Sequence, residues 1–245
     1  MSLASALIIG DEILTGKVQD ENSVVLARML FERGVRLSRI ETISDDIETI
    51  ATSVKYLSNH FDYVFTSGGI GPTHDDKTYE AIAKAFHLKM GYHEKVLEKF
   101  AEYHQLFLSG KPLNEARQKM AFLPMPCEII QTEGLWLPLV VVKNVYILPG
   151  IPSLFEKLVN GIKHRFDGPA IERILIYTLN SEGDIAADLE RIQNAFPKVA
   201  IGSYPKTSDA YKVMISLEGT DHQAVQEAAH QVEVAICGFR TFERI

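Results

Sequence analysis

Apolar runs of strand length alternate along the chain with stretches in which apolar residues return every three or four positions. Leu3 to Ile9 reads as a buried strand. Val25, Leu26, Met29 and Leu30 then recur at helical spacing, with Asp20 as the expected N-cap and Gly34 as the stop. Val35 to Ile43 alternates as a half-buried strand does, Ile47 to about Leu57 is helical, and Phe61 to Phe65 is an aromatic and β-branched strand. Tyr79, Ile82, Ala83 and Phe86 mark the next helix. This β-α-β-α-β-α order predicts a parallel sheet with helices on both faces. Its strand ends then open on one edge, where ligands of open α/β sheets bind.

Residues 88–120 read as one or two helices, with Val96, Leu97 and Phe100, and further along Tyr103 and Phe107, on one face and a break at Ser109 to Pro112. Ile129 to Val142 contains strands interrupted by Gly134 and Pro138. Trp136 is read first as core packing, with stacking on a flat ring as the alternative. Val145 to Leu148 is a strand that breaks at Pro149-Gly150-Ile151-Pro152 into a helix from Ser153 to about Phe166. Asp167-Gly168-Pro169 marks a boundary, giving domains 1–167 and 168–245. Beyond it a β-α-β-β-α-β order, ending in a strand from Phe239 to Ile245, suggests a small α+β domain of the ferredoxin-like kind. Val199 to Tyr204 and Tyr211 to Leu217 read as strands, and within this domain Ile201 to Lys206 is the unusual spot, read as a turn, with a lid carrying Tyr204 or Lys206 as the alternative.

The segment that scaffolding explains least is Thr66 to Thr78, TSGGIGPTHDDKT. Three glycines, Gly68, Gly69 and Gly71, free the backbone and let another molecule approach without meeting a Cβ. With a helix N-terminus just beyond, that suits a phosphate. Asp75 and Asp76 would repel the phosphate unless a divalent cation stands between them. The plainer reading makes Gly-Gly and Gly-Pro turn signals and Asp76 a helix cap. Neither a dinucleotide fingerprint nor a Walker loop is present, because His74 stands where the last glycine should and no Gly-Lys-Ser/Thr follows. Gly10-Asp11-Glu12 and Ser44-Asp45-Asp46 add acids at two more strand ends. Arg117 and Lys119 could reach a phosphate, although a solvated surface is the default for each.

A net charge of −7 argues against nucleic-acid and anionic-membrane partners. Cys127 and Cys237 match no metal spacing and are expected as buried thiols in a reducing compartment. Leu3 to Ile9 lacks a preceding basic residue and reads as a strand, not a signal peptide, which points to a cytoplasmic protein.

Gly10-Asp11-Glu12-Ile13-Leu14 with Gly16, Asp20 and Asn22, then Gly68 to Thr73 with Asp75, Asp76 and Thr78, then Leu148 to Pro152, resemble the molybdopterin-binding-like (MoCF biosynthesis) domain family. The branch most like it is that of the CinA N-terminal domain and the N-terminal domain of eukaryotic FAD synthases. Glu182 to Phe196 and Ile201 to Pro205 resemble the region that follows in FAD synthase. Two departures matter. Thr132 to Pro138 replaces the Gly/Ala/Pro-rich loop of CinA proteins, and neither a flavin-adenylylating nor a deamidase domain is expected within these 245 residues.

The resemblance implies a three-layer α/β/α domain with a mostly parallel sheet and a ligand at the glycine loop. It also implies metal-dependent cleavage of an ADP-containing dinucleotide, FAD to FMN and AMP or ADP-ribose. The alternatives are a molybdopterin-binding, adenylyltransferase-like role in molybdenum-cofactor biosynthesis, and a non-catalytic ligand-binding domain. Asp76, Asp46 and Asp11 are the expected catalytic residues, with Asp75, Asp76 and Asp46 holding magnesium, manganese or cobalt; Asp45 is the alternative to Asp46. Ser67, Gly68, Gly69, Gly71, Pro72, Thr73, Thr78, Glu12, Asn22, Pro149 and Gly150 are expected to bind substrate. The expected partners are a small dinucleotide or pterin and further copies of the chain, with neither nucleic acid nor membrane.

Overall fold

The computed structural model describes residues 1–107, 114–206 and 210–240. The break at Ser109 to Pro112, the side chain of Phe107 and the expected strand beyond Arg240 lie outside them. The chain divides into two compact units, Met1–Gly168 and Pro169–Ile245.

The first unit runs β1 (Leu3–Ile9), α1 (Asp11–Leu14), α2 (Asn22–Glu32), β2 (Arg36–Ile43), α3 (Ile47–His60), β3 (Tyr63–Ser67), α4 (Thr78–Phe86), β4 (Lys89–Tyr92), α5 (Glu94–Phe107), α6 (Glu115–Lys119), β5 (Phe122–Met125), β6 (Glu128–Ile130), β7 (Leu139–Val142), β8 (Val145–Leu148) and α7 (Pro152–Ile162). Six strands form one sheet in the order β2-β1-β3-β8-β7-β6. β2, β1, β3 and β8 are parallel, and β7 and β6 return antiparallel at one end. The chain steps from β1 outward to β2 and back past β1 to β3. Right-handed crossovers therefore put α2 and α3 on opposite faces. α7 packs beside α2 and α4 beside α3, which completes three layers.

Burial follows the sheet. All four residues of β8 are buried, as are those of β1 after Leu3, and Phe65 stacks on Tyr146 with ring centroids 5.1 Å apart. Such strands, covered on both faces, carry apolar residues without alternation. The second unit places β9 (Glu172–Thr178), α8 (Glu182–Ala195), β10 (Ala200–Pro205), β11 (Val213–Gly219) and α9 (His222–Ala235) as an antiparallel sheet, β10-β11-β9, under two helices. Phe239 forms an isolated antiparallel bridge with Tyr177 of β9.

Four expectations change. Lys89–Tyr92 is a strand, not helix, because Phe122–Met125 supplies an antiparallel partner some thirty residues away. The turn expected at Ile201 to Lys206 gives way to the strand expected over Val199 to Tyr204: Ile201 to Pro205 lies in β10, paired along its length with β11. Glu21 holds the N-cap position of α2, although Asp20 still makes the capping bond by accepting from the Ser23 amide. Cys237, just past the end of α9, is exposed and Cys127 only partly buried, so neither is the fully buried thiol expected. Among the described residues no helix is long and apolar enough to cross a membrane.

Candidate active site

Strand register brings the turns together. Ile9 pairs with Ile43, Ile8 with Ser67, and Ser67 with Leu148, so β1, β2, β3 and β8 end level. The order reverses between β1 and β3, the position where open α/β sheets leave a crevice at their carboxyl ends. A cavity of about 630 Å³ lies there. It is bordered by Glu12, Asp45, the loop Gly68 to Pro72, Asp75, Asp76, Pro149 and Gly150 from the strand ends, and also by Phe100, Tyr103, Arg117, Met120, Trp136, Leu137 and Leu154.

The glycine loop has its shape for identifiable reasons. Gly68 has φ +110°, and a Cβ there would drive into the Ile9 carbonyl oxygen; Gly69 has φ +67° and presses on the Thr78 hydroxyl. The Asp76 carboxylate then closes the loop, accepting from the Gly71 amide at 2.6 Å, the Thr73 amide at 2.7 Å and the Thr73 hydroxyl at 2.5 Å. It does not cap α4, whose N-cap residue is Lys77. Lys119 Nζ fastens the loop from α6, donating to the carbonyls of Thr73 at 2.8 Å and Asp76 at 3.1 Å. Among the described residues the Gly69 and Ile70 amides have no acceptor, so they are available to an anion.

Beneath the loop is a buried frame. Asn22 Nδ2 donates to Ser67 Oγ and to the Gly150 carbonyl, both at 2.9 Å, and the Thr78 hydroxyl donates to the Gly68 carbonyl at 2.9 Å. Asn22, Ser67, Thr73 and Thr78 thus shape the cradle and are not among the residues that border the cavity; Glu12, Gly68, Gly69, Gly71, Pro72, Pro149 and Gly150 do border it.

The acids separate by role. Asp46 is turned away from the cavity: its carboxylate accepts from the Thr49 amide and hydroxyl, both at 2.9 Å, and caps α3. Its neighbour Asp45 borders the cavity instead and accepts from the Asp11 amide at 2.9 Å. Asp11 contributes that amide and its charge, but its side chain does not border the cavity. Burial, then the charges of Glu12, Asp11 and Asp75, raise the Asp45 pKa against the opposing effect of the Asp11 amide. Carboxylates crowded this way favour a cation. Among the described residues no three Asp, Glu, His or Cys side chains gather closely enough to hold a metal by themselves. The oxygens of one or two carboxylates suit an ion such as magnesium, which takes its remaining ligands from phosphate and water.

Trp136, expected first as core packing with a flat-ring contact as the alternative, is partly buried and borders the cavity. Trp136 stacks on Tyr103 (5.4 Å, 23°) and meets the Phe100 edge at 5.4 Å. For this placement the apolar face of α5 was the available signal, but it reads equally as core.

Residues 5–166 match the family described as probable molybdopterin binding domain, and residues 172–238 match the FAD synthase middle domain. A protein of Archaeoglobus fulgidus is 33% identical over 226 residues, covering 92% of this chain and 94% of its own. A protein of Caenorhabditis elegans named probable FAD synthase is 30% identical over 96% of this chain, which spans only 50% of that protein's length. The solved structure of CinA from Thermoplasma acidophilum, itself of unknown function, superposes with a TM-score of 0.61 at 28% identity, covering 67% of this chain and 97% of that one. The chain therefore belongs to the family of the probable molybdopterin binding domain, here followed by a domain that matches the middle domain of FAD synthase.

Proposed function

We propose that this chain is a metal-dependent nucleotide pyrophosphatase that cleaves an ADP-containing dinucleotide, FAD to FMN and AMP foremost and ADP-ribose otherwise. The observation that carries the reading is the placement of Asp45, Glu12 and Asp75 on the same cavity as the glycine loop. The Gly69 and Ile70 amides donate to a diphosphate oxygen, and Asp45 with Glu12 or Asp75 would hold a magnesium, manganese or cobalt ion. That ion, when bound, neutralises the diphosphate and lowers the pKa of a coordinated water. The carboxylate not engaged with the ion orients the attacking water and takes its proton. The water oxygen forms a new bond to one phosphorus, the bridging P–O bond breaks, and the bridging oxygen leaves with the other phosphate. Asp76 and Lys119 keep the cradle in shape. Asp46 and Asp11 act at one remove, by capping α3 and by fixing Asp45.

The test is to incubate the protein with FAD, ADP-ribose and NAD and with each metal in turn, and to look for AMP. Turnover that excess EDTA leaves unchanged would remove the metal from the reading. A second reading, a pterin-binding role in molybdenum-cofactor assembly, is favoured by the family match over residues 5–166. Molybdopterin bound in a calorimeter, with FAD neither bound nor cleaved, would select it. Absence of turnover and of either ligand would leave a non-catalytic domain.

A further inference from the structure

The six-stranded sheet ends on β2, and no described strand pairs with the outer side of β2. Every residue of β2 is at least partly exposed, and Ile40 is 50% exposed. At the other end of the sheet β6 presents only three residues. From the β2 edge and the order of its side chains we infer that two copies of this chain associate through β2, antiparallel about a two-fold axis at Ile40, so that their sheets join into one.

The backbone is turned the right way. The Gly10 amide, just past β1, donates to the Ile43 carbonyl, so the polar groups of Ile43 face inward. From Arg39 to Ile43 the register with β1 is regular, and the direction of these groups alternates along a strand, so those of Ile40 and Thr42 point to the free edge. Ile40 can then exchange both backbone bonds with Ile40 of a second copy.

The side chains select the register. With the axis at Ile40, Arg39 lies opposite Glu41 of the second copy and Glu41 opposite its Arg39, while Ser38 meets Thr42 and Leu37 meets Ile43. Moving the axis one residue either way sets Arg39 against Arg39 or Glu41 against Glu41, which is unfavourable. Within one copy Arg39 already holds Glu41 at 2.6 Å and lies over the Tyr56 ring of α3 at 5.1 Å. Two copies therefore bring together four alternating charges that are already ordered, which limits the entropy lost on association. Leu37 and Arg39 pair with the consecutive Ala4 and Ser5, so Ser38 is an extra residue of the kind that blunts an edge. That bulge confines the regular pairing to the residues around Ile40 and makes the association a weak one, with a Kd on the order of micromolar. Because the same edge serves on both copies, assembly stops at two.

Sedimentation equilibrium of the intact protein should show monomers and dimers in exchange. Arg39→Glu and Glu41→Arg should each weaken the dimer by about tenfold or more, by setting like charges opposite one another, and the double variant should recover most of the affinity. With Cys127 and Cys237 replaced by Ser, Ile40→Cys should form a disulfide-linked dimer on mild oxidation. The Cα atoms of a hydrogen-bonded antiparallel pair stand about 5.5 Å apart, a separation that disulfides favour. Ser38→Cys in the same background should not cross-link, because its opposite residue is Thr42. A protein that stays monomeric at about 100 μM would overturn the inference. So would a dimer whose affinity Arg39→Glu leaves unchanged, or one that cross-links through Ser38→Cys and not through Ile40→Cys. Should a charge variant fail to fold, the two cysteine variants decide. None of Arg39, Ile40 and Glu41 borders the cavity, so the result does not depend on whether the chain cleaves a dinucleotide.

Discussion

The Asp11 amide donates to the Asp45 carboxylate at 2.9 Å, joining the turn after β1 to the turn after β2 across 34 positions of sequence. Through this bond the second acidic strand end is aimed at the cavity that the third provides with a glycine cradle.

Asp45→Asn is therefore expected to reduce metal-dependent turnover by about 100-fold, read as AMP release. Its effect on stability should be the opposite. Because the Asp45 pKa is raised, its protonated form favours the fold, a contribution present below the ordinary carboxylate range and lost as pH rises through the raised value. The variant, which cannot ionise there, should melt at or above the wild-type temperature near neutrality. The gap should shrink as the pH falls, which thermal melts across pH 3 to 8 would show as an approximate range.

Asp46→Ala should behave differently, although its target is the adjacent residue. The Thr49 amide and hydroxyl hold the Asp46 pKa below its ordinary value, so this cap stabilises α3 at neutral pH and is lost as pH falls through the lowered value. The variant should melt a few degrees lower at neutrality, with the gap closing in strong acid. Its kcat/KM for FAD should stay within about threefold of wild type.

Gly68→Ala puts a Cβ against the Ile9 carbonyl at a φ of +110°, and neither backbone can yield without moving β1 or β3. A loss of about 2 kcal/mol or more is expected in urea denaturation, together with loss of AMP binding.

Lys119 tests whether the loop's shape matters apart from its acids. Lys119→Ala removes donors to the Thr73 and Asp76 carbonyls without touching the reacting groups. AMP binding should weaken by about tenfold and KM rise with it, while kcat changes little. Lys119→Arg should restore part of the affinity.

Much of the fold was legible because its signals are local. The runs that became β1, β3 and β8, and the helical spacing of Tyr79, Ile82 and Phe86, needed only the chemistry of neighbouring residues. β4 was not legible because Lys89–Tyr92 becomes a strand only through Phe122–Met125. Asp45 and Asp46 could not be told apart from sequence, since adjacent carboxylates differ only in which partner each one finds.

What the sequence determined by itself was the order of elements and the strand ends where glycines and acids sit, because periodicity, capping residues and turn chemistry act over a few positions. What only the tertiary structure decided was the use of each group. Asp76 became the clasp of the glycine loop, Asp46 a cap, Asp45 an acid at the cavity and Trp136 part of the same cavity's lining. A side chain's role depends on hydrogen-bond donors and rings brought close by strand register and helix packing, and those neighbours lie tens of residues away along the chain.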